Sequence, residues 1–215
     1  MSRERIENEG IQDFETRTAE GGARKHQMYQ LFVLGQLMDQ PMHGYLLRDI
    51  LSNMLGPFRQ MSWGALYPLI RQLQHNGWIE LDTACDVASQ SEANARQRKR
   101  YRITEPGKER FMAMMQEPDE YSADTPELFH IKLVNFAYVS PELRLAILQH
   151  YLGYLRMLDN HTQMRRRHKE CLPDTIRRYY ILRAVDYRLS RIQAEVQWME
   201  QEVARATEEV RQATK

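Results

Sequence analysis

The chain has 215 residues, of which 42% are hydrophobic and 27% are charged, and its formal net charge is +1. This length can bury one or two hydrophobic cores, and no apolar run reaches the roughly 18 residues that a membrane-spanning helix needs. The polar first residues match no signal peptide. The two cysteines, Cys85 and Cys171, favour a reducing cytoplasm over a disulfide framework.

Charge is distributed unevenly along the chain. From Arg96 to Arg110 there are seven basic and two acidic residues, whereas the segment from Glu117 to Glu127 has five acidic residues and no basic one. The overall charge predicts neither a nucleic-acid nor a membrane partner. A basic run is usually a solvated face, so its neighbours decide whether it contacts an anionic partner.

Two helices are predicted in the first part of the chain. Residues 1–26 have few apolar side chains and are predicted to form a flexible or weakly helical leader. Apolar residues then recur at helical spacing over residues 28–38, and again from about residue 43 to the stop signal at Gly56 and Pro57.

A third helix is predicted over residues 62–76. Ser62 is a suitable N-cap, because its hydroxyl can accept a hydrogen bond from an amide of the first turn, and Gly77 suits the left-handed residue that closes a helix. One side of this helix is apolar, and the opposite side is small or polar. The apolar side consists of Leu66, Leu69, Ile70 and Leu73, and the opposite side of Gly64, Tyr67, Pro68, Arg71 and His75.

Two interpretations of this third helix are open. Its polar side either enters a DNA major groove or is the solvated face of an ordinary amphipathic helix. Pro68 is an objection to a regular helix, since proline removes a helical hydrogen bond and crowds the preceding turn.

The segment after the third helix favours the DNA-binding interpretation. Apolar and polar residues alternate in residues 78–81 and 101–103, which predicts two short antiparallel strands. The long polar connection over residues 83–97 ends in the basic run of residues 98–100. A basic β-hairpin behind three helices is a winged helix, in which the wing contacts the phosphate backbone beside the groove.

These residues resemble the PadR family of bacterial transcriptional regulators. The resemblance spans about residues 28–110 and implies a winged-helix DNA-binding domain that tolerates a proline in its third helix. Ala65 departs from the Thr or Ser that is more common in the family, which implies an altered DNA contact without a change of fold. The matching residues are His43, Gly44, Tyr45, Gly64, Ala65, Leu66, Tyr67, Pro68, Leu73, Asn76, Gly77, Trp78, Arg98, Lys99, Arg100, Tyr101, Arg102, Ile103, Thr104 and Gly107.

The second half of the chain predicts a separate helical domain. After an acidic linker over residues 117–126, a short helix is followed by the start signal Ser140–Pro141 and a long amphipathic helix. A break at residues 172–174 precedes a last long helix, whose tail after Met199 is expected to fray. Long amphipathic helices usually pack on another chain.

A looser resemblance to the PadR family continues in this half. It rests on Phe129, Ile131, Lys132 and Leu133 at the entry and on Glu195, Trp198 and Met199 in the last helix. The resemblance implies a twofold dimer that presents two winged helices to a palindromic operator.

Catalysis is not predicted. The seven histidines form no HExxH-type metal pattern, and the chain has neither a Gly-rich phosphate loop nor a GxSxG motif. The sequence therefore predicts no enzyme, no cofactor and no metal site.

Aromatic residues of the second half have two interpretations. They line a ligand pocket, between the domains or across the dimer, or they form the core of a dimer interface. A pocket of this composition would suit a small aromatic effector. The candidate effector-binding residues are His150, Tyr151, Tyr154, Tyr180, Arg183 and Trp198.

The sequence thus predicts a mainly α protein that acts as a ligand-responsive repressor. A winged helix-turn-helix domain with a three-helix core and a two-stranded wing is expected over residues 27–116, and a helical dimerisation and candidate effector-sensing domain over residues 127–215. The expected partners are double-stranded operator DNA and a second copy of the chain; the alternative is a helical interaction protein whose winged helix binds a protein. The predicted DNA-binding residues are Tyr45, Ser62, Trp63, Gly64, Ala65, Tyr67, Arg71, Arg98, Lys99 and Arg100.

Overall fold

The computed structural model describes residues 22–55, 63–82 and 99–213. The chain divides into two compact units, Met1–Glu117 (unit 1) and Pro118–Lys215 (unit 2). The described residues are mainly helical, and a small sheet lies in unit 1. The predicted mainly α class is therefore confirmed.

Unit 1 contains helices and strands in the order predicted for a winged helix. Its first helix includes residues 22–26, which belong to the predicted leader, and there the His26 ring and the Gln72 side-chain carbonyl form a hydrogen bond. Residues 1–21 lie outside the described part of the chain. The elements are α1 (residues 22–36), β1 (Met42–His43), α2 (Gly44–Leu55), α3 (Trp63–His75), β2 (Ile79–Leu81), β3 (Arg100–Ile103) and α4 (Glu105–Gln116).

The three strands form one antiparallel sheet in the order β1-β3-β2. Met42 of β1 pairs with Tyr101, and Ile79 of β2 pairs with Ile103. Strands β2 and β3 are the two strands predicted for the wing. Strand β1 is an addition, because its two residues are too few to show an alternating pattern in the sequence.

The predicted apolar side of α3 lies in the core of unit 1. Its four residues are each 0–1% exposed: Leu66, Leu69, Ile70 and Leu73. After the helix, Gly77 has a φ of 70°, which is the left-handed conformation that glycine adopts without a steric penalty. The opposite side of α3 is thereby turned away from the core.

The start of α4 is held against the turn that follows α3. The Thr104 hydroxyl accepts a hydrogen bond from the Gly107 amide at 3.1 Å and donates one to the Gly77 carbonyl at 2.6 Å. The Thr104 amide donates to the Trp78 carbonyl at 3.1 Å. A Cβ on residue 107 would lie 2.0 Å from that carbonyl oxygen, so this close approach requires glycine.

Unit 2 begins with two short helical segments and continues with two long helices. They are α5 (Thr125–Val134), a 3-10 turn (Phe136–Tyr138), α6 (Pro141–Glu170) and α7 (Ile176–Ala213). Ser140 caps α6 as predicted, since its side chain accepts a hydrogen bond from the Leu143 amide at 3.3 Å.

Helix α7 continues to Ala213, so the expectation that the tail after Met199 frays is wrong. Two features support a helix there. Ala206 is 6% exposed, and Arg205 forms an ion pair with Glu202 at 2.6 Å, three residues apart on one helix face.

Helices α6 and α7 form an antiparallel hairpin. Salt bridges join them at three levels, and residue numbers rise along α6 as they fall along α7. The pairs are Arg144–Glu209 (3.7 Å), Arg156–Glu200 (2.9 Å) and Arg166–Asp186 (2.6 Å). Between these levels the apolar residues Leu148, Leu155, Leu189, Ile192 and Met199 are buried.

The segment predicted as an acidic linker is attached to unit 2 by side-chain contacts. The buried Lys132 ammonium of α5 pairs with the Asp119 carboxylate at 2.7 Å. The Tyr121 hydroxyl donates to the His150 carbonyl of α6 at 3.0 Å. A Cβ on Gly153 would lie 2.7 Å from this hydroxyl oxygen, so glycine makes the notch that Tyr121 occupies.

Candidate nucleic-acid interface

The exposed side of α3 is the surface predicted to enter a DNA groove. Gly64, Pro68 and Arg71 are exposed on it, and Tyr67 is half-buried. Arg71 has no hydrogen bond or ion pair within the described ranges. Its guanidinium is therefore free to donate in parallel to two acceptors, such as the O6 and N7 atoms of a guanine.

Pro68 gives this side of α3 a further acceptor. In a regular helix the amide of residue 68 would donate to the carbonyl of Gly64, but proline has no amide hydrogen. Gly64 is itself exposed and carries no side chain. Its carbonyl can accordingly accept a hydrogen bond from outside the helix.

Tyr101 of β3 supports α3 from behind. It is 5% exposed, and burial raises the pKa of its phenol, with a further increase from Tyr67 and an opposing effect of Arg71. A Cβ on Gly44 would lie 3.6 Å from the Tyr101 ring and from Ile70 of α3. Tyr101 thus joins the wing to α2 and α3.

The start of α2 places Tyr45 on the surface. Tyr45 is 44% exposed, and its ring stacks on that of His43 at 5.4 Å with an interplanar angle of 17°. This stacking restricts the Tyr45 ring while leaving its hydroxyl accessible, which suits the predicted phosphate contact.

The predicted wing bases differ in their surroundings. Lys99 is exposed. Arg100 is half-buried, since its Nη2 donates to the Pro41 carbonyl at 3.1 Å and its Nε lies 3.7 Å from the Asp82 carboxylate. Arg100 therefore ties β3 to the segment before β1, whereas the sequence places it with the solvent-facing bases.

Two of the other predicted residues are not placed, and two are placed by their backbone alone. Ser62 and Arg98 lie outside the described residues. Trp63 and Ala65 belong to the first turn of α3, but the described part of the chain does not include their side chains.

Half of the candidate effector residues come together on α6. The rings of Tyr121 and His150 are 4.9 Å apart, those of Tyr121 and Tyr154 are 5.5 Å apart, and Tyr151 stacks on Phe129 at 3.9 Å. The buried Nε2 atom of His150 has no hydrogen-bond partner among the described residues. This aromatic cluster lies wholly within unit 2.

The other half of the set is dispersed along α7. Tyr180 is 65% exposed and Trp198 is 45% exposed, and the 18 residues between them correspond to about 27 Å of helix. Arg183 is exposed near Tyr180. One chain therefore does not gather the six predicted effector residues around a single pocket.

Tyr151 links α6 to α7 through a hydrogen bond that the sequence did not predict. Its hydroxyl donates to the Glu195 carboxylate at 2.5 Å. Burial is the main reason that the Tyr151 pKa is raised, followed by this hydrogen bond and by the negative charge of Glu195. The pKa of Tyr154 is also raised, chiefly by burial and then by Glu195.

Tyr121 is the member of the aromatic cluster that sequence patterns did not reveal. It lies in an acidic segment without helical periodicity, so composition predicted a linker. The one available signal was Gly153, a glycine inside a long predicted helix, which often marks the close approach of another group.

Two kinds of site are absent from the described ranges. No group of three or more His, Cys, Asp or Glu side chains is arranged to hold a metal ion within residues 22–55, 63–82 and 99–213. In the same ranges, no helix has the length and apolar character required to cross a bilayer.

The three-helix core, the exposed side of α3 and the β2–β3 hairpin define a winged helix-turn-helix domain. Residues 33–113 match the model of the transcriptional regulator PadR-like family. The match lies in the region whose motifs resemble that family, so the predicted resemblance is confirmed. The family is one of transcriptional regulators, which is not an enzyme class.

Comparison with curated proteins finds no match. Among solved structures, Bacillus subtilis PadR in complex with operator DNA is 18% identical, with 82% of this chain and 98% of that chain covered and a TM-score of 0.37. Bacillus subtilis PadR in complex with p-coumaric acid is 18% identical, with 84% and 99% covered and a TM-score of 0.36. The Vibrio cholerae virulence activator AphA is 19% identical, with 84% and 98% covered and a TM-score of 0.33.

Proposed function

We propose that this chain is a cytoplasmic transcriptional repressor that binds a palindromic DNA operator as a homodimer. The observation that carries the proposal is the exposed side of α3, where Arg71 has no ion pair within the described residues and the buried stripe holds the helix from behind. In this assignment α3 enters the major groove and Arg71 donates to a guanine or to a phosphate.

The remaining DNA contacts are assigned by position. Lys99 at the wing and Tyr45 at the start of α2 contact phosphates on either side of the groove. Arg100 acts mainly by positioning the wing, through its hydrogen bond to the Pro41 carbonyl. The attraction of its charge for phosphates is a smaller contribution.

Dimerisation is assigned to unit 2. Two large apolar side chains are exposed seven residues apart on α6: Met157 at 45% and Met164 at 69%. Exposed apolar side chains of this size are typical of surfaces that another protein covers. The two copies of α3 in one dimer would contact operator half-sites about one DNA turn apart.

Effector binding is assigned to the aromatic cluster on α6. An aromatic ligand that contacts His150 and Tyr154 would compete with Tyr121 for the same surface. Tyr121 belongs to the segment that follows unit 1 directly, so its displacement would change the attachment of that segment and favour release from DNA.

The first test measures binding of the purified full-length protein to a DNA fragment from its own upstream region. Fluorescence anisotropy is the readout, at several salt concentrations. Arg71→Ala should weaken binding by about 1–3 kcal/mol, or roughly 5- to 150-fold. Arg205→Ala removes the same charge from unit 2, where Arg205 is paired with Glu202, and should leave affinity within about twofold.

Two results would contradict the proposal. One is equal affinity for the upstream fragment and for a scrambled duplex; the other is equal loss of binding in the Arg71 and Arg205 variants. A scrambled-duplex result combined with capture of a defined protein partner would favour the protein-binding alternative. Adding 4-hydroxybenzoate to the DNA complex tests the effector assignment, since His150→Ala should reduce any release that it causes.

A further inference from the structure

The end of the α6–α7 hairpin that contains the connecting turn is strongly basic. Residues 161–191 hold nine basic and three acidic residues, an excess of six positive charges in a chain whose net charge is +1. This excess is separate in sequence from the wing and from α3.

The three carboxylates of this region are already paired. Glu170 and Asp186 both bind Arg166, and Asp174 binds Arg178 at 2.6 Å. The other basic side chains of the region therefore have no local carboxylate left to neutralise them.

Four arginines of α7 differ from Arg166 and Arg178 because they form no ion pair with any described residue. Arg177, Arg183, Arg188 and Arg191 are exposed, and none has an ion pair within the described residues. Tyrosines lie between them: Tyr180 is 65% exposed and Tyr187 is 66% exposed, and the Arg191 guanidinium lies 6.0 Å from the centre of the Tyr187 ring.

These side chains share one side of the helix. At about 100° per residue, Arg177, Tyr180, Tyr187, Arg188 and Arg191 fall within roughly a third of the circumference of α7, and Arg183 lies at the edge of this side, about 40° beyond Tyr187. From Arg177 to Arg191 this side extends about 21 Å. Asp186, the one acidic residue in that stretch of sequence, points to Arg166 instead.

We propose that this arginine–tyrosine face, formed by Arg177, Tyr180, Arg183, Tyr187, Arg188 and Arg191, binds the phosphate backbone of duplex DNA without regard to sequence. Guanidinium groups match phosphate oxygens with two parallel hydrogen bonds, and tyrosine hydroxyls are frequent phosphate donors. A duplex presents about one negative charge per 1.7 Å of its axis, so a length equal to this face carries on the order of twelve phosphates, of which the side towards α7 is available to the four arginines. The contact is additional to that of α3 and does not depend on it.

The test measures binding of a scrambled 30-base-pair duplex by the full-length protein in the Arg71→Ala/Lys99→Ala background. Adding Arg177→Ala and Arg188→Ala should reduce the slope of log affinity against log salt by about 1.8 for each protomer that contacts the duplex, because each lost phosphate contact removes about 0.9. The matched control is Arg205→Ala/Arg211→Ala on the same helix, which should leave the slope unchanged, since both arginines are paired with glutamates. Arg177→Lys/Arg188→Lys should retain the slope, as charge alone sustains counterion release.

Several outcomes would overturn the inference. Equal slopes for the two alanine pairs would overturn it. Loss of all duplex binding in the Arg71→Ala/Lys99→Ala background would also overturn it, but this result leaves the proposed function intact. A shift from dimer to monomer in sedimentation on Arg177→Ala/Arg188→Ala would make the face a protomer interface. Binding to phosphatidylglycerol vesicles but not to duplex would assign it to a membrane surface. If the slope falls as expected and the unmodified chain shows no preference for its upstream fragment, the inference stands and the proposed function fails.

Discussion

Replacement of Gly107 by alanine should destabilise unit 1 through one steric conflict. The added Cβ would lie 2.0 Å from the Trp78 carbonyl oxygen and 2.8 Å from the Ile103 side chain. Relief requires a backbone movement of about 1 Å, because packed atoms of this kind approach no closer than about 3 Å. The Trp78 carbonyl also accepts the Thr104 amide at 3.1 Å, so this movement weakens the cap of α4.

The expected magnitude follows from three contributions. Overpacking of a close contact costs about 1–3 kcal/mol, and a weakened hydrogen bond adds about 1 kcal/mol. The higher helix propensity of alanine offsets about 1 kcal/mol. A net loss of about 2 kcal/mol corresponds to a fall in Tm of about 8–16 °C for a domain of this size.

The measurement is thermal and urea unfolding followed by tryptophan fluorescence. Trp198→Phe serves as the background, so that the signal comes from Trp63 and Trp78 in unit 1. Gly44→Ala is the control, since a Cβ there meets its nearest neighbours at an ordinary 3.6 Å. Equal stability of the Gly107 and Gly44 variants would refute the reasoning.

Three further outcomes are expected. The pKa of Tyr151 is raised in the folded chain, so the stability that its phenol confers is complete below its unfolded pKa near 10. Above that pH the free energy of unfolding should decline by up to about 1.4 kcal/mol per pH unit. Tyr151→Phe, which also loses the bond to Glu195, should flatten this decline in urea unfolding between pH 9 and 11. Asp119→Ala should destabilise unit 2 by about 1–3 kcal/mol because the buried Lys132 ammonium loses the ion pair with Asp119 at 2.7 Å. Adding Lys132→Met should recover part of the loss in chemical denaturation, and no recovery would contradict this account. Arg71→Lys should bind its DNA more weakly than the unmodified chain in anisotropy titrations, since an ammonium cannot form the bidentate contact, and equal affinity would indicate a simple charge interaction.

Local signals made the winged-helix core predictable. The apolar spacing of α3, the left-handed Gly77 and the Thr104 cap each lie within a few residues of the structure that they determine. The Ser140–Pro141 pair predicted the start of α6 for the same reason. Such features need no knowledge of distant segments.

The parts that escaped prediction depend on contacts between distant segments. Arg100 resembles any wing base in sequence, and its bond to Pro41 spans 59 positions. The last turns of α7 are polar, and their helix is supported by Ala206, which is buried within unit 2. The position of Tyr121 and the separation of the predicted effector residues into two groups depend on how α6 and α7 align. Periodicity along one helix does not encode that alignment.

The notch at Gly153 has a consequence for how this sequence can diverge. A glycine near the middle of α6 lowers helix propensity by about 1 kcal/mol relative to alanine. That cost is offset by the Tyr121 hydroxyl, which occupies the space that a Cβ would take and donates to the His150 carbonyl. Replacing Tyr121 leaves the space beside Gly153 empty, and replacing Gly153 removes the space that the Tyr121 side chain needs. Positions 121 and 153 should therefore change together among descendants of this chain. A lineage that replaces Tyr121 with a small residue is free to acquire alanine at 153 and gain a stiffer helix, but it gives up the attachment of the segment that leads from one unit to the next.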